Sequence, residues 1–282
     1  MDGMFNIDKP GGMTSHDVVQ SVRKKLNTSK VGHLGTLDPM ATGVLPVSVG
    51  KATRLAQFVS SSPKEYEGEL RFGFATNTYD REGVPTTEER PFQGNLDEAV
   101  RSLTGTIEQV PPPFSAKKIG GVPAYKLARR NRSVEMSASR VEIVSFEIQS
   151  LQSPLLRFRV VCSPGTYIRS LAHDLGQLMG CGAHLTALRR TRSGDFQISD
   201  AITLDKVSAG TLIPIDRVLE ALPRIEVSEA DETKVVHGNY FRAEGDARLA
   251  RIFNKKGRFL AVASIENGWV RPRVVLTSIN SD

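Results

Sequence analysis

The chain reads as an α+β protein whose platform is a mixed, largely antiparallel sheet flanked by helices. "EYEGELRFGF" sets Tyr66, Leu70, Phe72 and Phe74 alternately with Glu65, Glu67, Glu69 and Arg71, the two-residue period of a half-buried strand. "LLRFRVVCS" repeats the pattern with Leu156, Phe158, Val160 and Cys162 on one side. Helical and strand segments are interleaved without a regular βαβ beat and without an internal repeat, which favours antiparallel pairing over a doubly wound parallel sheet.

The elements follow in order. "TSHDVVQSVRKKL" opens with Thr14 and Asp17 at capping-box spacing, places Val18, Val22 and Leu26 on one stripe, and gathers its basic residues in the last turn, where the helix dipole favours cations. "NLDEAVRSLTG" predicts a short helix capped by Asn95 and ended by Gly105, and "TYIRSLAHDLGQLMG" a longer one ended by Gly180. Between them, residues 110–136 are rich in Pro, Gly and basic residues, the composition of a projecting loop with a short helix. Past "LPRIEVSEADE" the pattern changes to short strands with Gly turns: "GNYFRAEGD", "GRFLAVASI", "GWVRPRVVL". The expected division is a main domain over 1–222 and a small β-rich domain over 223–282.

The 282 residues can bury a substantial core without staples. Cys162 and Cys181 are the only cysteines, too few for a disulfide framework, and together with the absence of a signal-like or membrane-length apolar run they lead to the expectation of a soluble cytoplasmic protein. Net charge is +6, and the excess comes in knots at 23–25, 117–118, 129–132, 189–192 and 255–258. Such clustering points to a polyanionic partner. Aromatics are 6% of the chain, so shape and phosphate recognition are expected over a broad base-stacking surface.

Several chemistries lack their motifs. There is no phosphate-binding Gly-rich loop followed by Lys-Ser or Lys-Thr, no dinucleotide fingerprint and no G-x-S-x-G elbow. Cys181 and His184 stand three apart near His173, but tetrahedral zinc needs a fuller ligand set, so no metal is expected. What remains is "GHLGTLDPMATGVLP", residues 32–46, where Asp38 is held among Gly32, Gly35, Gly43, Pro39 and Pro46. An Asp before Pro ordinarily bonds local backbone in a turn. A rigid loop carrying one ionisable group is also how a nucleophile or general base is held. Arg169, in the first turn of its helix, sits where the dipole disfavours a cation; it either extends into solvent or answers a negative group, a carboxylate from a distant loop such as Asp38 or a substrate phosphate. Tyr66 and Tyr167 read equally as core aromatics, His33 as a turn residue, and Asp80 in "TYDREG" as a turn acid before Gly83.

Those strings, with "NIDKPGGMTSHDVV" ahead of them and "CSPGTYIRSLAHDLG" and "CGAHLTALRRTRSG" after, closely resemble the TruB family of tRNA pseudouridine synthases, in order over residues 5–195. The resemblance implies a pseudouridine synthase core, a small C-terminal RNA-binding domain of the PUA type, and isomerisation of uridine 55 in the tRNA T loop after base flipping, without a cofactor. It implies that Asp38 is the nucleophile, that Tyr66 stacks on the base and handles the C5 proton, and that Arg169 pairs with Asp38. Leu188 matches the apolar residue against the base, and Tyr167 lies in the same pocket string. His33 matches the residue that fills the T loop once the base is out. Lys9 and Pro10 form the family's "KP" string, mainly structural support. Lys9 and Asp80 complete the expected substrate-side set. The segment at 110–136 matches the part that closes over RNA, with the knots at 117–132 and 189–192 on phosphates.

Three other readings stay open at this level. A non-catalytic tRNA-folding factor would use the same surface; a guide-RNA-dependent relative would carry a longer C-terminal region; a nucleosidase would release free uracil. The expected partner is tRNA alone, bound by a monomer with no guide RNA, protein partner or membrane.

Overall fold

The structure is a computed structural model describing residues 1–60, 62–115, 136–243 and 247–276, with the backbone of a short strand pair at 118–119 and 122–123. Most of the expected RNA-closing segment, including the side chains of its basic knots, lies outside the described residues.

The large sheet uses β1 (Gly3–Lys9), β2 (Val31–His33), β3 (Thr42–Val49), β4 (Lys64–Phe72) and β5 (Gly105–Gln109). A two-strand ribbon, β6 (Lys118–Ile119) with β7 (Val122–Pro123), stands apart. The sheet continues with β8 (Ser139–Gln152), β9 (Leu155–Cys162), β10 (Ala183–Ser193), β11 (Phe196–Gln197) and β12 (Ile213–Pro214). Its order is β12-β1-β3-β10-β4-β9-β8-β5, with β2 on β3 and β11 on β10. Every strand pairing in it is antiparallel except β3 with β10, so the sheet is mixed and largely antiparallel, as the alternating patterns predict. β4 and β9 bury the predicted faces, with Tyr66, Leu70 and Phe72 against Leu156, Phe158, Val160 and Cys162 in one core.

The first of these strands is shorter than its alternation predicts. β4 stops at Phe72 because Gly73, at φ 120°, turns the chain, and Phe74 instead packs on the His184 ring at 4.6 Å. Gly105 likewise does not end a helix. The helix Leu96–Ser102, capped by the Asn95 side chain on the amides of Asp97 and Glu98, is already over, and Gly105 opens β5.

Two helices brace the sheet. Ser15–Leu26 has the reciprocal Thr14–Asp17 capping box and buries Ser15, Val18, Val19 and Val22, while Asn27 closes it in the left-handed region at φ 47°. Ile168–Leu178 buries Ile168, Leu171, Ala172 and Leu175 and packs along β10.

The last strands form a second sheet: β13 (Arg224–Val227), β14 (Phe241–Arg242), β15 (Leu249–Asn254), β16 (Phe259–Glu266) and β17 (Trp269–Val275), in the order β13-β15-β16-β17-β14. It is fastened to the first by a shared apolar cluster in which Met4, Val44, Leu55 and Ile215 meet Val262, Val274 and Leu276. Arg251 adds hydrogen bonds to the carbonyls of Asp216, Glu220 and Leu222, and Arg54 to that of Val275. No helix among the described residues is long and apolar enough to cross a membrane.

The one parallel join of the large sheet, β3 with β10, is tightly packed. Arg190 pairs with Gly43, which sits at φ 99°, and a side chain there would strike the Arg190 backbone. Left-handed strain and this collision add. Gly43→Ala is expected to cost about 2 kcal/mol or more and to lower Tm by roughly 5 °C, measured by scanning calorimetry.

Candidate active site

Asp38 lies between β2 and β3, in the turn that the Gly-Pro composition demands. Two buried cations hold that turn from beneath. Lys9, fully buried at the end of β1, donates from Nζ to the carbonyls of Pro10 at 2.9 Å, Met13 at 2.6 Å and Pro39 at 3.2 Å. Burial draws its ammonium down to about 8, against the opposing pull of the Asp38 charge. Arg190, also fully buried, donates from Nε to the Val44 carbonyl at 2.7 Å and from Nη2 to that of Gly35 at 3.1 Å. Ser15 closes the frame by exchanging hydrogen bonds with the Leu37 backbone, at 2.9 and 3.1 Å. A loop whose carbonyls are spoken for on three sides presents its one carboxylate in a fixed direction.

Arg169 meets that carboxylate from the facing helix. Its Nε donates to Asp38 Oδ2 at 2.8 Å and its Nη2 to Asp38 Oδ1 at 2.9 Å, a two-pronged pair. Further bonds run to the carbonyls of Thr78 at 3.0 Å and Phe114 at 3.1 Å, and Asp80 Oδ2 stands 3.5 Å from Nη1. The guanidinium is 5% exposed, whereas the Asp38 side chain keeps 33% of its surface open. The pair is thus sealed on the arginine side and open on the acid side. Two carboxylates answer the unfavourable dipole end that the helix start imposes on Arg169.

Backbone register delivers the rest. Tyr66 on β4 is paired with Arg190 on β10, and Leu188 lies two residues earlier on β10, so both project to the same side as Lys64. With Thr36, Leu37, Asp38, Ser115, Tyr167, Ile168 and Arg169 they line a cavity of about 260 Å³. Tyr66 is buried, and loss of solvent raises its phenol above the ordinary value, so the hydroxyl stays protonated at neutral pH. Burial and the Arg190 charge lower the Lys64 ammonium to about 8. Tyr167 caps the helix with its backbone, locked by the buried Gln109 amide, which accepts from Tyr167 N at 2.8 Å and donates to Tyr167 O at 3.1 Å.

The structure brings Asp38, Tyr66, Arg169, Tyr167 and Leu188 to one cavity. Asp80 is placed behind Arg169, 5% exposed, with Oδ1 accepting from Thr78 Oγ1 at 2.6 Å and from Glu82 N at 3.1 Å. Lys9 lies under the loop as a brace, and His33 on β2 lies outside the cavity lining. The basic knot at 189–192 departs from the expectation of phosphate contact. Arg190 is interior, and Arg189 is paired in two-pronged fashion with Asp8 at 2.7 and 3.1 Å. Lys64 and Gln109 are not found by sequence reasoning, and Arg190, read there as part of a phosphate-facing knot, is an internal brace. Lys64 had a signal, since it stands two residues before Tyr66 on one strand; Gln109 had none. Cys181 and His184 are engaged locally, the thiol on the Gly182 carbonyl and the imidazole on the Phe74 carbonyl.

Residues 23–168 match the family model described as TruB family pseudouridylate synthase, N-terminal domain, and residues 169–225 match the tRNA pseudouridylate synthase B C-terminal domain. The chain belongs to the TruB family of pseudouridylate synthases. It is therefore placed among enzymes that isomerise uridine to pseudouridine. Similar curated proteins include "tRNA pseudouridine synthase B" of Solibacter usitatus, 42% identical over 94% of this chain and 96% of that one. The protein of the same name from Thermobifida fusca is 45% identical over 97% and 98%. Among solved structures, an H/ACA RNP bound to a substrate RNA containing 2′-deoxyuridine aligns at TM-score 0.70 and 26% identity, covering 99% of this chain and 86% of that one. A Cbf5-Nop10-Gar1 complex aligns at 0.70 and 28%, covering 98% and 85%.

The helix that carries Arg169 also holds a half-buried acid, Asp174, whose carboxyl is lifted to about 6 by loss of solvent. A raised carboxyl pKa means that the folded state binds more protons between about 4 and 6, so its stabilising share is complete below pH 4 and lost as pH rises through 6. Asp174→Asn is expected to stabilise the fold at pH 7.5 by on the order of 1 kcal/mol after allowing for partial solvation, seen as a raised Tm, and to leave Tm unchanged near pH 3.5. Thermal melts of both forms across that range check this.

Proposed function

We propose that this chain converts uridine 55 in the T loop of tRNA to pseudouridine, with Asp38 as nucleophile. The observation that carries this reading is the sealed Arg169–Asp38 pair, which aims the Asp38 carboxylate into a cavity otherwise lined by Tyr66, Leu188 and Tyr167. The family membership and the names of the curated relatives support the substrate class.

The cavity is large enough for one flipped nucleotide and not for a folded loop, so the uridine must leave the stack before reaction. Asp38 then attacks the nucleotide to form a transient covalent bond, the C1′–N1 bond breaks, the uracil turns, C5 bonds to C1′ in place of N1, and the bond to Asp38 breaks, which regenerates the free carboxylate. N1 ends protonated and C5 loses its proton. Atoms and oxidation level are conserved, so the step needs no redox cofactor. Tyr66, protonated and beside the cavity, is the residue placed to stack on the base and relay the C5 proton. Leu188 supplies an apolar wall to hold the uracil ring. His33 we assign to the space that the departing base leaves in the T loop, and Lys9 and Asp80 to holding Asp38 and Arg169 in register.

The division into a catalytic domain over 1–222 and a PUA-like RNA-binding domain over 223–282 is part of the same reading. It draws on the separate sheet formed by residues 224–275, which lies almost wholly past both matched family segments. We take the enzyme to act as a monomer on bare tRNA in the cytoplasm, with no guide RNA or protein partner.

An unmodified tRNA transcript carrying tritium at uracil C5 tests this. Tritium release with pseudouridine mapped to position 55 is the expected result, with no added RNA or protein. Asp38→Ala should abolish release, and Asp38→Asn should bind tRNA with turnover at least roughly 10³-fold lower. Tight binding without release in the unaltered protein would instead favour a tRNA-folding factor. Arg169→Lys, which keeps the charge but loses the fork, is expected to lower kcat by about 10²-fold with a smaller change in KM, by single- and multiple-turnover kinetics.

A further inference from the structure

Lys9, Arg169, Arg190 and Lys64 surround the loop that carries Asp38, and the first three have their donors engaged. Lys9 and Arg190 direct them to backbone carbonyls, and Arg169 to the Asp38 carboxylate and two carbonyls. Lys64 differs. It opens β4 half-buried and lines the cavity, and among the described residues no carboxylate or carbonyl accepts a hydrogen bond from its Nζ.

Its neighbours offer it no acid. Across the sheet Lys64 is paired with Cys162 on β9 and Ser193 on β10. Glu65, next along β4, alternates to the opposite face, where it accepts from Arg159 and Thr191. The Lys64 tip rests against Gly35, where a Cβ would come within 2.8 Å of Nζ, so the missing side chain leaves room for the head group. The Arg190 guanidinium adjoins the same glycine, a like charge. Asp38 is the one acid of the cavity lining, and both its oxygens are already held by the Arg169 fork. An ammonium drawn out of water beside another cation is unfavourable at rest and becomes favourable when an anion enters the cavity.

The reaction supplies such an anion. When C1′–N1 breaks, the electron pair of that bond leaves with the uracil and spreads over N1, O2 and O4. Tyr66 and Lys64 share one face of β4 two residues apart, about 7 Å along the strand, so a ring stacked on Tyr66 brings an edge within reach of the Lys64 side chain. We propose that Lys64 is a further catalytic residue, whose ammonium bonds a uracil oxygen and holds the negative charge that the ring carries between cleavage and reattachment. Lys64 keeps its proton throughout. C5 returns the electron pair to C1′, after which C5 loses its proton and N1 gains one, so atoms and electrons balance. The assignment rests on the reaction proposed above for the source of the anion. Burial first, and the Arg190 charge second, draw the ammonium down to about 8, which leaves it mostly charged at neutral pH.

Single-turnover tritium release by the full-length protein separates chemistry from product release. Lys64→Met keeps the length of the side chain and removes its charge; release at saturating tRNA is expected to slow about 10²-fold, with tRNA affinity changed by no more than about three-fold. Lys64→Arg restores a cation and should recover roughly ten-fold of that loss. Circular dichroism confirms that each variant is folded. An unchanged rate in Lys64→Met would overturn the assignment. Weaker tRNA binding with an unchanged saturated rate would overturn it in favour of a phosphate contact. A second measurement needs no turnover: equilibrium dialysis compares 5-nitrouracil, an anion at neutral pH, with uracil, its neutral counterpart. The anion should bind roughly ten-fold tighter or more, a preference lost in Lys64→Met and kept in Lys64→Arg. No preference for the anion in the unaltered protein, or one that survives Lys64→Met, would overturn the proposal. If tritium release fails in the unaltered protein while the anion preference holds, the substrate reading falls and the anion site stands. If release proceeds and Lys64→Met matches it, only the role of Lys64 falls.

Discussion

The bond pair between Arg169 and Asp38 is the joint on which the structure turns. It is the one place where the loop between β2 and β3, the start of the helix Ile168–Leu178 and the turn carrying Thr78 and Asp80 meet around a single guanidinium. A buried cation with five donors in one plane tolerates little displacement of any partner, because each lost bond would leave a polar group out of reach of water. The partner acid, by contrast, keeps a third of its side-chain surface toward the cavity. Burial on one side and access on the other turn an ordinary ion pair into an oriented, accessible carboxylate.

Around that joint, positive charge serves two separate ends. Lys9 and Arg190 are interior and direct their donors to backbone carbonyls of the residues flanking Asp38. They shape the loop from within and do not line the cavity. Exposed cations stand elsewhere, among them Arg242, Arg271 and Arg273 on the outward side of the second sheet. The same +6 chain therefore uses arginine both as a rigid internal bracket and as a surface contact, and burial alone separates the two uses.

The packing between the two sheets has a consequence for recognition. Met4 and Val44, neighbours of the site-bearing strands, share an apolar cluster with Val262 and Val274, and Arg251 and Arg54 tie the second sheet to loops of the first. The second sheet is thus held at a set distance from Asp38 rather than on a free tether. A substrate as large and rigid as tRNA can be selected by that spacing as well as by local chemistry.

Local signals in the sequence determined a good part of this. The Thr14–Asp17 box, the Asn95 cap, the alternation in β4 and β9 and the Gly-Pro frame around Asp38 each depend on residues within a few positions of one another, and each took the form its spacing dictates. Asp38, Tyr66 and Arg169 were legible because their surrounding strings resemble a known family, and the odd placement of Arg169 at a helix start marked it independently. Tertiary structure alone decided which basic residues face solvent. Arg189 and Arg190 are adjacent in one knot, yet alternation on β10 sends one to Asp8 and the other into the core. It alone placed Gln109 on the backbone of Tyr167, a bond spanning 58 positions, and fixed β4 to end at Gly73. The physical reason is common to all three cases: propensity and periodicity act over a few residues, whereas burial and pairing are set by whatever strand or helix the rest of the chain brings alongside.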